Sequence, residues 1–332
     1  MRALLYALTA FALLTPGAAL AQLMGTADAG SSQPFTISVG PQYPAPFSKA
    51  TLSILSDSIS LTNATMTVSV GGKKLYEGNA QPVAIPLGKA GVVTNVTVVV
   101  RANGSSYRQN VLIQPQDVAL VSEPISSAPP LYPGKPFVPL EGDVRLVAVA
   151  SLRNASGNSL DPAQLSYTWT VDGTRIDNFS GIGKSAIIVA SPLQYRSREV
   201  SVVIASQDGT VVGGASTSLD PLAPSIRTYV QDPLLGILYD HAISGSYTIS
   251  SAEATLYTAP FSLPTTSGSP FIQWFLNGSA AQTGRSITLR PSGEGGGAAS
   301  LSVTASSGNE TTATSNYSIS FGTTGGSNFF GL

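Results

Sequence analysis

Short stretches in which apolar and polar residues alternate, each followed by a glycine turn, occur three times along the chain. The three copies are residues 65–73, 165–176 and 271–279, and they end in Gly-Gly, Asp-Gly and Asn-Gly turns. Alternation of this kind is typical of a half-buried β-strand, and such turns accept the positive φ angles that a tight hairpin needs. The central apolar residues are Val68, Trp169 and Trp274, which are 101 and 105 residues apart. The pattern therefore predicts three versions of one domain.

The same alternation continues outside these copies and predicts strands joined by turns along most of the chain. Of its 332 residues, 11% are charged, and the helix formers Glu and Lys number only seven and six. Val, Ile and Thr are abundant instead, as in β-sheet proteins. One longer apolar stretch, Tyr247 to Phe261, predicts a single long strand in the third domain, bent at Ser250-Ser251.

Val68, Trp169 and Trp274 are the predicted core residues of the three domains. Two packed sheets lie about 10 Å apart, so a large side chain on a central strand fills the space between them. The chain has no cysteine, so burial alone has to hold each core together. Truncation of either tryptophan to alanine should cost roughly 3–5 kcal/mol. Because the first domain has only a valine there, we expect its core to be the least robust.

The first residues have the composition of a secretory signal peptide. Arg2 precedes an apolar run from Ala3 to Leu14, and Ala19-Leu20-Ala21 predicts cleavage before Gln22. The alternative, an uncleaved membrane anchor, would need about 20 apolar residues. We therefore expect an exported mature protein without a transmembrane span, secreted or held at the cell surface.

Proline-rich stretches suggest where one domain ends and the next begins. Residues 123–136 contain five prolines, which stiffen the chain and remove backbone donors. A shorter stretch follows Asp220. The predicted division is a signal peptide (1–21), a flexible leader (22–34), domain 1 (35–122), a linker (123–136), domain 2 (137–220), a linker (221–225), domain 3 (226–321) and a flexible tail (322–332).

These features resemble the immunoglobulin-like and PKD-like β-sandwich repeats of secreted bacterial surface proteins. The likeness covers residues 35–321 and consists of short strands, a tryptophan before a Val-Asp-Gly or Leu-Asn-Gly turn, and tandem copies. The chain departs from antibody-type domains in lacking paired cysteines, and from PKD domains in lacking a Trp-Asp-Phe-Gly-Asp-Gly-like run. The resemblance implies an all-β fold of three tandem immunoglobulin-like antiparallel β-sandwiches after the signal peptide.

Few residues could carry chemistry. The absence of cysteine excludes disulfides, thiol catalysis and cysteine-bound zinc, and His241 is the only histidine. Asp240 is adjacent to His241, but neighbours in an extended strand point in opposite directions. Residues 178–185 resemble a phosphate-binding loop, yet they lead into a strand-type run. We therefore expect no catalytic residue, no metal site and no cofactor.

The favoured function is that of an exported, non-catalytic modular protein, acting as a spacer, an adhesin or an assembly component through contacts with a protein partner. The net charge of −1 makes nucleic acid a poor partner. One alternative is a carbohydrate-binding or accessory module, with Tyr229, Tyr239 and Tyr257 as candidates for an exposed aromatic face and a glycan as ligand. A second alternative is a hydrolase that uses His241. The tail residues Phe329, Phe330 and Leu332 could dock on a partner; the alternative is an ordinary frayed terminus.

Overall fold

The computed structural model describes residues 34–291, 296–308 and 311–321, and this part of the chain is all-β. Its strands form six sheets, which pack in three pairs, each pair around a hydrophobic core of its own. The prediction of tandem antiparallel β-sandwiches is therefore confirmed. Among these residues no helix has the length and apolar composition to cross a bilayer.

The first sandwich contains seven strands: β1 (Thr36–Gly40), β2 (Lys49–Leu55), β3 (Thr65–Val70), β4 (Lys73–Asn79), β5 (Val83–Pro86), β6 (Thr94–Ala102) and β7 (Ser105–Ile113). One sheet has the order β1-β2-β5 and the other β4-β3-β6-β7. Alternate residues of both sheets point inward and are buried together, as Leu52 and Val98 illustrate.

The second sandwich contains eight strands: β8 (Asp117–Pro124), β9 (Asp143–Ser151), β10 (Ser166–Val171), β11 (Thr174–Arg175), β12 (Gly181–Ile182), β13 (Ala186–Ala190), β14 (Arg198–Ala205) and β15 (Val212–Leu219). The sheets are β13-β9-β8 and β11-β10-β14-β15, with β12 also paired to β10. Two short 3-10 helices, Pro162–Gln164 and Asp177–Phe179, lie in its turns.

Strand β8 lies where the sequence suggests the end of the first domain. It pairs with β9 from Asp117↔Ser151 to Pro124↔Val144, so residues 117–122 belong to a sheet of the second sandwich. A division into two compact units also falls between Pro115 and Gln116, and the second and third sandwiches lie in one unit except for residues 155–157. We therefore propose that the boundary between the first two domains lies before Asp117, where this pairing begins.

The third sandwich contains nine strands: β16 (Ser225–Asp232), β17 (Gly236–Ala242), β18 (Ser246–Ile249), β19 (Ala254–Phe261), β20 (Phe271–Leu276), β21 (Ser279–Thr283), β22 (Ser286–Leu289), β23 (Gly297–Ser306) and β24 (Thr312–Phe321). The sheets are β17-β16-β19-β22 and β18-β24-β23-β20-β21. Strand β18 runs parallel to β24, while the other pairs in this sandwich are antiparallel.

The prediction of one long strand from Tyr247 to Phe261 is wrong. Strand β18 belongs to one sheet and β19 to the other, and the exposed residues 250–253 carry the chain across the edge of the sandwich. Ile249 and Ala254 are both buried in the core, one from each sheet. An apolar residue at each end of a polar step is compatible with a bent strand or with a change of sheet, and the sequence pattern does not separate the two.

The three copies found in the sequence occupy equivalent places. Val68 lies opposite Val98, Trp169 opposite Val202 and Trp274 opposite Val303, and the first member of each pair is 0% exposed. The turn that follows begins with Gly71, Asp172 or Asn277, at φ angles of 55°, 48° and 51°. Each is followed by a glycine with φ near 80°, as a two-residue hairpin turn requires.

At this position the second and third sandwiches have side-chain hydrogen bonds to the backbone that the first sandwich does not have. The indole N–H of Trp169 donates to the carbonyl of Lys184, and that of Trp274 donates to the carbonyl of Gly284, both at 2.9 Å. The side chain of Asp172 accepts from the N–H of Glu199 at 3.0 Å, and that of Asn277 accepts from Ser300 at 2.9 Å. Val68 and Gly71 have no side-chain atoms that could form such bonds.

Candidate functional site

The three sandwiches differ most in the chain that leads from β1 to β2, from β8 to β9 and from β16 to β19. We call this chain the first connection of each sandwich. In the first sandwich it is residues 41–48, a short turn between β1 and β2. In the second it is residues 125–142, between β8 and β9, and in the third it is residues 233–253, which include β17 and β18. Loops that vary on a common scaffold are where binding functions are found, so these connections are the candidate site.

The first connection of the second sandwich, here called the bridging loop (residues 125–142), hydrogen-bonds to the third sandwich through its backbone. The N–H of Ser127 donates to the carbonyl of Leu263 at 2.8 Å, and the N–H of Ser262 donates to the carbonyl of Ser127 at 3.0 Å. The N–H of Thr265 donates to the carbonyl of Ile125 at 3.1 Å. Ser126 and Pro264 form an isolated β-bridge in the same place. The loop is thus paired like a short strand with the third sandwich.

Aromatic packing adds to this pairing. Tyr257, Ala259 and Phe261 of β19 alternate with the inward-facing Leu256 and therefore point away from the core of the third sandwich. The ring of Tyr132 meets that of Phe261 edge-on, with centroids 5.5 Å apart, and the ring of Phe137 lies 6.2 Å from it. The outer face of β19 at this end is therefore covered by the bridging loop.

The sequence suggests residues 123–136 as a linker between domains 1 and 2. In the structure they lie in the second sandwich and contact the third. Glu123 and Pro124 end strand β8, and the rest belongs to the bridging loop. The other four of the five prolines are consistent with this, because a loop that runs outside a regular sheet does not need their missing N–H groups. The sequence marks the segment as non-sheet, while its partner, the distant Phe261, becomes visible only in the folded chain.

Ser262, which follows β19, contacts both the bridging loop and the chain that enters the third sandwich. Its hydroxyl donates to the carbonyl of Leu222, in the chain between the sandwiches, at 2.7 Å, and it lies 3.3 Å from the carbonyl of Val138 in the bridging loop. The N–H of Leu222 donates to that same carbonyl of Val138 at 2.9 Å. Ser262 is fully buried and has a φ of 60°. We call this set of contacts the joint.

The first connection of the third sandwich begins with the turn of a hairpin, in which β16 is followed by β17. Its tip is Pro233-Leu234-Leu235, in which Leu234 is 94% exposed and Leu235 77%. The carboxylate of Asp232 accepts from the N–H groups of Leu234 and Leu235 at 2.7 and 2.9 Å. The hydrogen bond from the N–H of Leu235 has the larger effect and that from Leu234 adds to it, and together they hold the pKa of Asp232 below its ordinary value. The tip thus has an ordered backbone that presents two leucines to solvent.

Strand β17 has extra residues opposite β16. Tyr229 pairs with Ala242 and Gln231 pairs with Ile237, so residues 238–241 bulge out of the ladder. The ring of Tyr239 folds back from this bulge onto Tyr229, at 5.1 Å, and Tyr257, at 6.3 Å. Burial raises the pKa of Tyr239, and the neighbouring Tyr257 raises it further.

The three tyrosines that the sequence suggests as a sugar-binding face are therefore brought together, but with their rings edge-to-face. Tyr229 and Tyr257 are 6% and 7% exposed, and Tyr239 is 39% exposed. The guanidinium of Arg285 donates to the hydroxyl of Tyr257 at 3.1 Å. Sugar recognition by stacking needs a flat, open ring face, and two of these three rings do not offer one.

His241 lies on the same bulge. Its Nδ1 is 3.3 Å from the carboxylate of Asp240, and the two side chains are 92% and 74% exposed. This contact differs from the expected opposite orientation, because the bulge breaks the strict alternation of an extended strand. The hydrogen bond from His241 holds the pKa of Asp240 below its ordinary value. No cleft encloses side chains this exposed, so the pocket that a hydrolase would need is not formed around His241.

Other features of the described residues offer little chemistry. Residues 178–185 form a 3-10 turn and the short β12, and β13 follows, so no helix follows the phosphate-loop-like sequence. An open depression of about 520 Å³ lies on the outer surface of β23 and β24, lined by Asn277, Ser300, Asn316 and Ser318 among others. Its lining has no carboxylate, imidazole or amine. No cluster of three or more His, Cys, Asp or Glu side chains suited to a metal occurs among the described residues.

Two predictions fall on residues that the structure does not describe. The signal peptide (1–21) and all of the leader (22–34) except Pro34 precede the described residues, and the tail with Phe329, Phe330 and Leu332 begins after Phe321. Both stay predictions. The core residues Val68, Trp169 and Trp274 lie away from the first connections, inside the three sandwiches.

Comparison with known proteins gives neighbours in structure only. No protein-family model matches the chain, and no curated protein is similar to it. Among solved structures, the three N-terminal domains of the highly immunogenic outer capsid protein of bacteriophage RB49 match with 15% identity over 86% of this chain and 98% of that one, at a TM-score of 0.24.

Two fibronectin-III structures also match. The central fibronectin-III array of RIM-binding protein has 11% identity over 89% of this chain and all of that one, at a TM-score of 0.32. The fibronectin(III)-like modules of Clostridium thermocellum CbhA have 11% identity over 59% of this chain and 92% of theirs, at a TM-score of 0.22. The fold described above rests on the strand pairing of this chain and not on these neighbours.

Proposed function

We propose that the chain is an exported, non-catalytic modular protein of the cell surface or extracellular space, acting as a spacer, an adhesin or an assembly component. Its second and third sandwiches form one stiff element that holds binding surfaces at a set distance and orientation. The contacts with the partner are made by protein surfaces, and the first connections provide the most distinctive of these.

The observation that carries this proposal is the joint. A flexible tether between two sandwiches needs only a few residues, such as 220–224. Here the bridging loop adds backbone hydrogen bonds, the buried hydroxyl of Ser262 and aromatic contacts on Phe261. Ordering eighteen residues of loop costs conformational entropy, so a joint of this kind is expected where the geometry between modules matters.

The absence of a catalytic constellation around His241 favours a non-catalytic role over a hydrolase. Hydrolysis by a histidine base needs a nucleophile within hydrogen-bond reach and a group that orients the ring, in a site that excludes water. Among the described residues His241 has only the exposed Asp240 as a polar contact. The enzyme alternative therefore has no geometric support at that residue.

Distances between spin labels test the stiffness of the joint. The chain has no native cysteine, so Thr174→Cys on the second sandwich and Ala281→Cys on the third can be labelled selectively. We expect a narrow distance distribution in the parent chain. Tyr132→Ala combined with Phe137→Ala should broaden it, because the aromatic cover of Phe261 is lost.

Tyr195→Ala is the matched control, since Tyr195 is an aromatic residue that is 94% exposed and its removal should leave the distribution unchanged. Circular dichroism would confirm that all variants keep their sheet content. A parent distribution as broad as that of the doubly substituted chain would contradict a stiff spacer.

A further inference from the structure

The position of Phe261 in the third sandwich has a counterpart in the first. Phe261 is the last residue of β19 and pairs with Ser225, the first residue of β16. Leu55 is the last residue of β2 and pairs with Thr36, the first residue of β1. Each of the two strands lies next to the first strand of its sandwich, between β1 and β5 in the first sandwich and between β16 and β22 in the third.

The serine that follows confirms that the two positions are equivalent. Ser262 donates its hydroxyl to the carbonyl of Leu222, in the chain that enters β16. Ser56 donates its hydroxyl to the carbonyl of Pro34, in the chain that enters β1. The same residue type thus makes the same hydrogen bond at the same point of both sandwiches.

The two positions differ in what covers them. Phe261 is 6% exposed, because Tyr132 and Phe137 of the bridging loop pack on it. Leu55 is 64% exposed. In the part of the chain that the structure describes, the first sandwich therefore leaves exposed the position that in the third sandwich receives the first connection of a neighbouring sandwich.

The complementary feature is the first connection of the third sandwich. In the second sandwich this connection extends beyond the end of β8 and packs on the third sandwich. In the third, the corresponding connection begins beyond the end of β16 with Leu234 and Leu235, which are 94% and 77% exposed on an ordered tip. Among the described residues, the Leu55 position thus receives no connection from a neighbouring sandwich, and the leucines of the β16–β17 tip are left exposed.

We infer that the β16–β17 tip of one chain packs on the Leu55 end of the first sandwich of a second copy, repeating between chains the contact that joins the second and third sandwiches within one chain. This inference rests on the proposed role as an assembly component. The contact is heterologous, because it joins different surfaces of the two copies. Contacts of that type produce rings or open filaments rather than two-fold dimers.

Single-cysteine chains test this contact directly. Leu235→Cys and Leu55→Cys chains, mixed in equal amounts under mild oxidation, should form a mixed disulfide faster than either chain alone forms its own. Leu193→Cys mixed with Leu55→Cys is the matched control, because Leu193 is 63% exposed but lies in the loop between β13 and β14. Equal rates for the test and control mixtures would overturn the inference.

Sedimentation equilibrium of the uncrosslinked chain supplies a second measurement. The parent should gain mass with concentration, and both Leu235→Asp and Leu55→Asp should weaken association by about tenfold or more, with Leu193→Asp unchanged. A parent that stays monomeric throughout, or association that responds to Leu235 and not to Leu55, would refute head-to-tail packing. A narrow spin-label distribution combined with a monomeric parent would reject this inference alone, while a broad one would reject the stiff spacer.

Discussion

The first sandwich and the other two fill the centre of their cores with side chains of different size and polarity. At the centre of its core the first has Val68, with Gly71 at the following turn, and the others have tryptophans followed by Asp172 or Asn277. The tryptophans bury more apolar area, and their indole N–H groups also donate to a backbone carbonyl, that of Lys184 or of Gly284. The comparison teaches that one position can supply apolar burial alone, or burial together with a hydrogen bond to the chain 15 or 10 residues further on.

The largest expected effect comes from truncating the central residues. Trp169→Ala or Trp274→Ala should lower the free energy of unfolding of its own sandwich by roughly 3–5 kcal/mol, through lost burial and the cavity that remains. Val68→Ala removes two methyl groups and should cost roughly 2 kcal/mol. Hydrogen exchange of peptides from β6, β14 and β23 in increasing urea would report each sandwich separately.

Trp169→Phe separates the two contributions. It keeps most of the apolar area but leaves the carbonyl of Lys184 without its donor, so it should cost about 1–3 kcal/mol, less than the alanine variant. Equal losses for Val68→Ala and Trp169→Ala would break the comparison, since the first core would then depend on its central residue as much as the second does.

A smaller effect is expected at the turns. Asn277→Gly keeps the positive φ but removes the acceptor of the Ser300 N–H, and it should destabilise the third sandwich by about 1 kcal/mol. Gly71→Asn should do the reverse in the first, because asparagine accepts φ near 55° and a Cβ at Gly71 meets no atom within 4 Å. A gain of a few tenths of a kcal/mol is expected.

The measurement is the urea midpoint of the affected sandwich, followed by the same exchange peptides. Gly72→Asn is the control for Gly71→Asn. Gly72 lies at the second turn position, with φ of 80°, where glycine is preferred. Stabilisation by both substitutions would show that any asparagine in this turn acts through the unfolded chain, and the proposed equivalence with Asn277 would lose its support.

The smallest effect concerns His241, on a bulge that has no counterpart in the described part of the first sandwich. His241→Ala removes the hydrogen bond that lowers the pKa of Asp240, so that pKa should rise towards its ordinary value, while the fold stays unchanged. NMR titration of the aspartate side chains would follow this. Asp208, whose pKa is held low mainly by Ser206, is the control and should not move. An unfolding transition shifted by this variant would show a structural role for His241.

Several parts of the fold could be predicted because they depend on residues close together in the chain. Alternation over five or six residues and a glycine dipeptide were enough to locate β3, β10 and β20 with their turns, since both depend on local backbone geometry. The long strand predicted through Ser250-Ser251 failed because local alternation does not say to which of two sheets a strand belongs. Strand β17 was not predicted, because its bulge destroys the alternation by which strands are recognised.

The candidate site was less accessible from sequence. Tyr229, Tyr239 and Tyr257 were chosen as exposed aromatics, and their proximity follows from the pairing of β16 with β17 and β19, which also buries two of them. The bridging loop looked like a linker because its prolines lack the backbone N–H groups of a regular strand, whether the loop is free or docked. A comparison of Phe261-Ser262 with Leu55-Ser56 could have been noticed in the sequence, but its meaning depends on strand register.

The amino-acid sequence by itself determined that this chain folds as repeated β-sandwiches, because the periodicity of two and the glycine turns act within a few residues. Only the tertiary structure decided which surfaces are covered and which are left open. Coverage of Phe261 by Tyr132, and exposure of Leu55 and Leu234, depend on contacts between residues far apart in the chain. Burial of that kind has no local signature, because the same apolar side chain can lie in a core, in a joint or at a free surface.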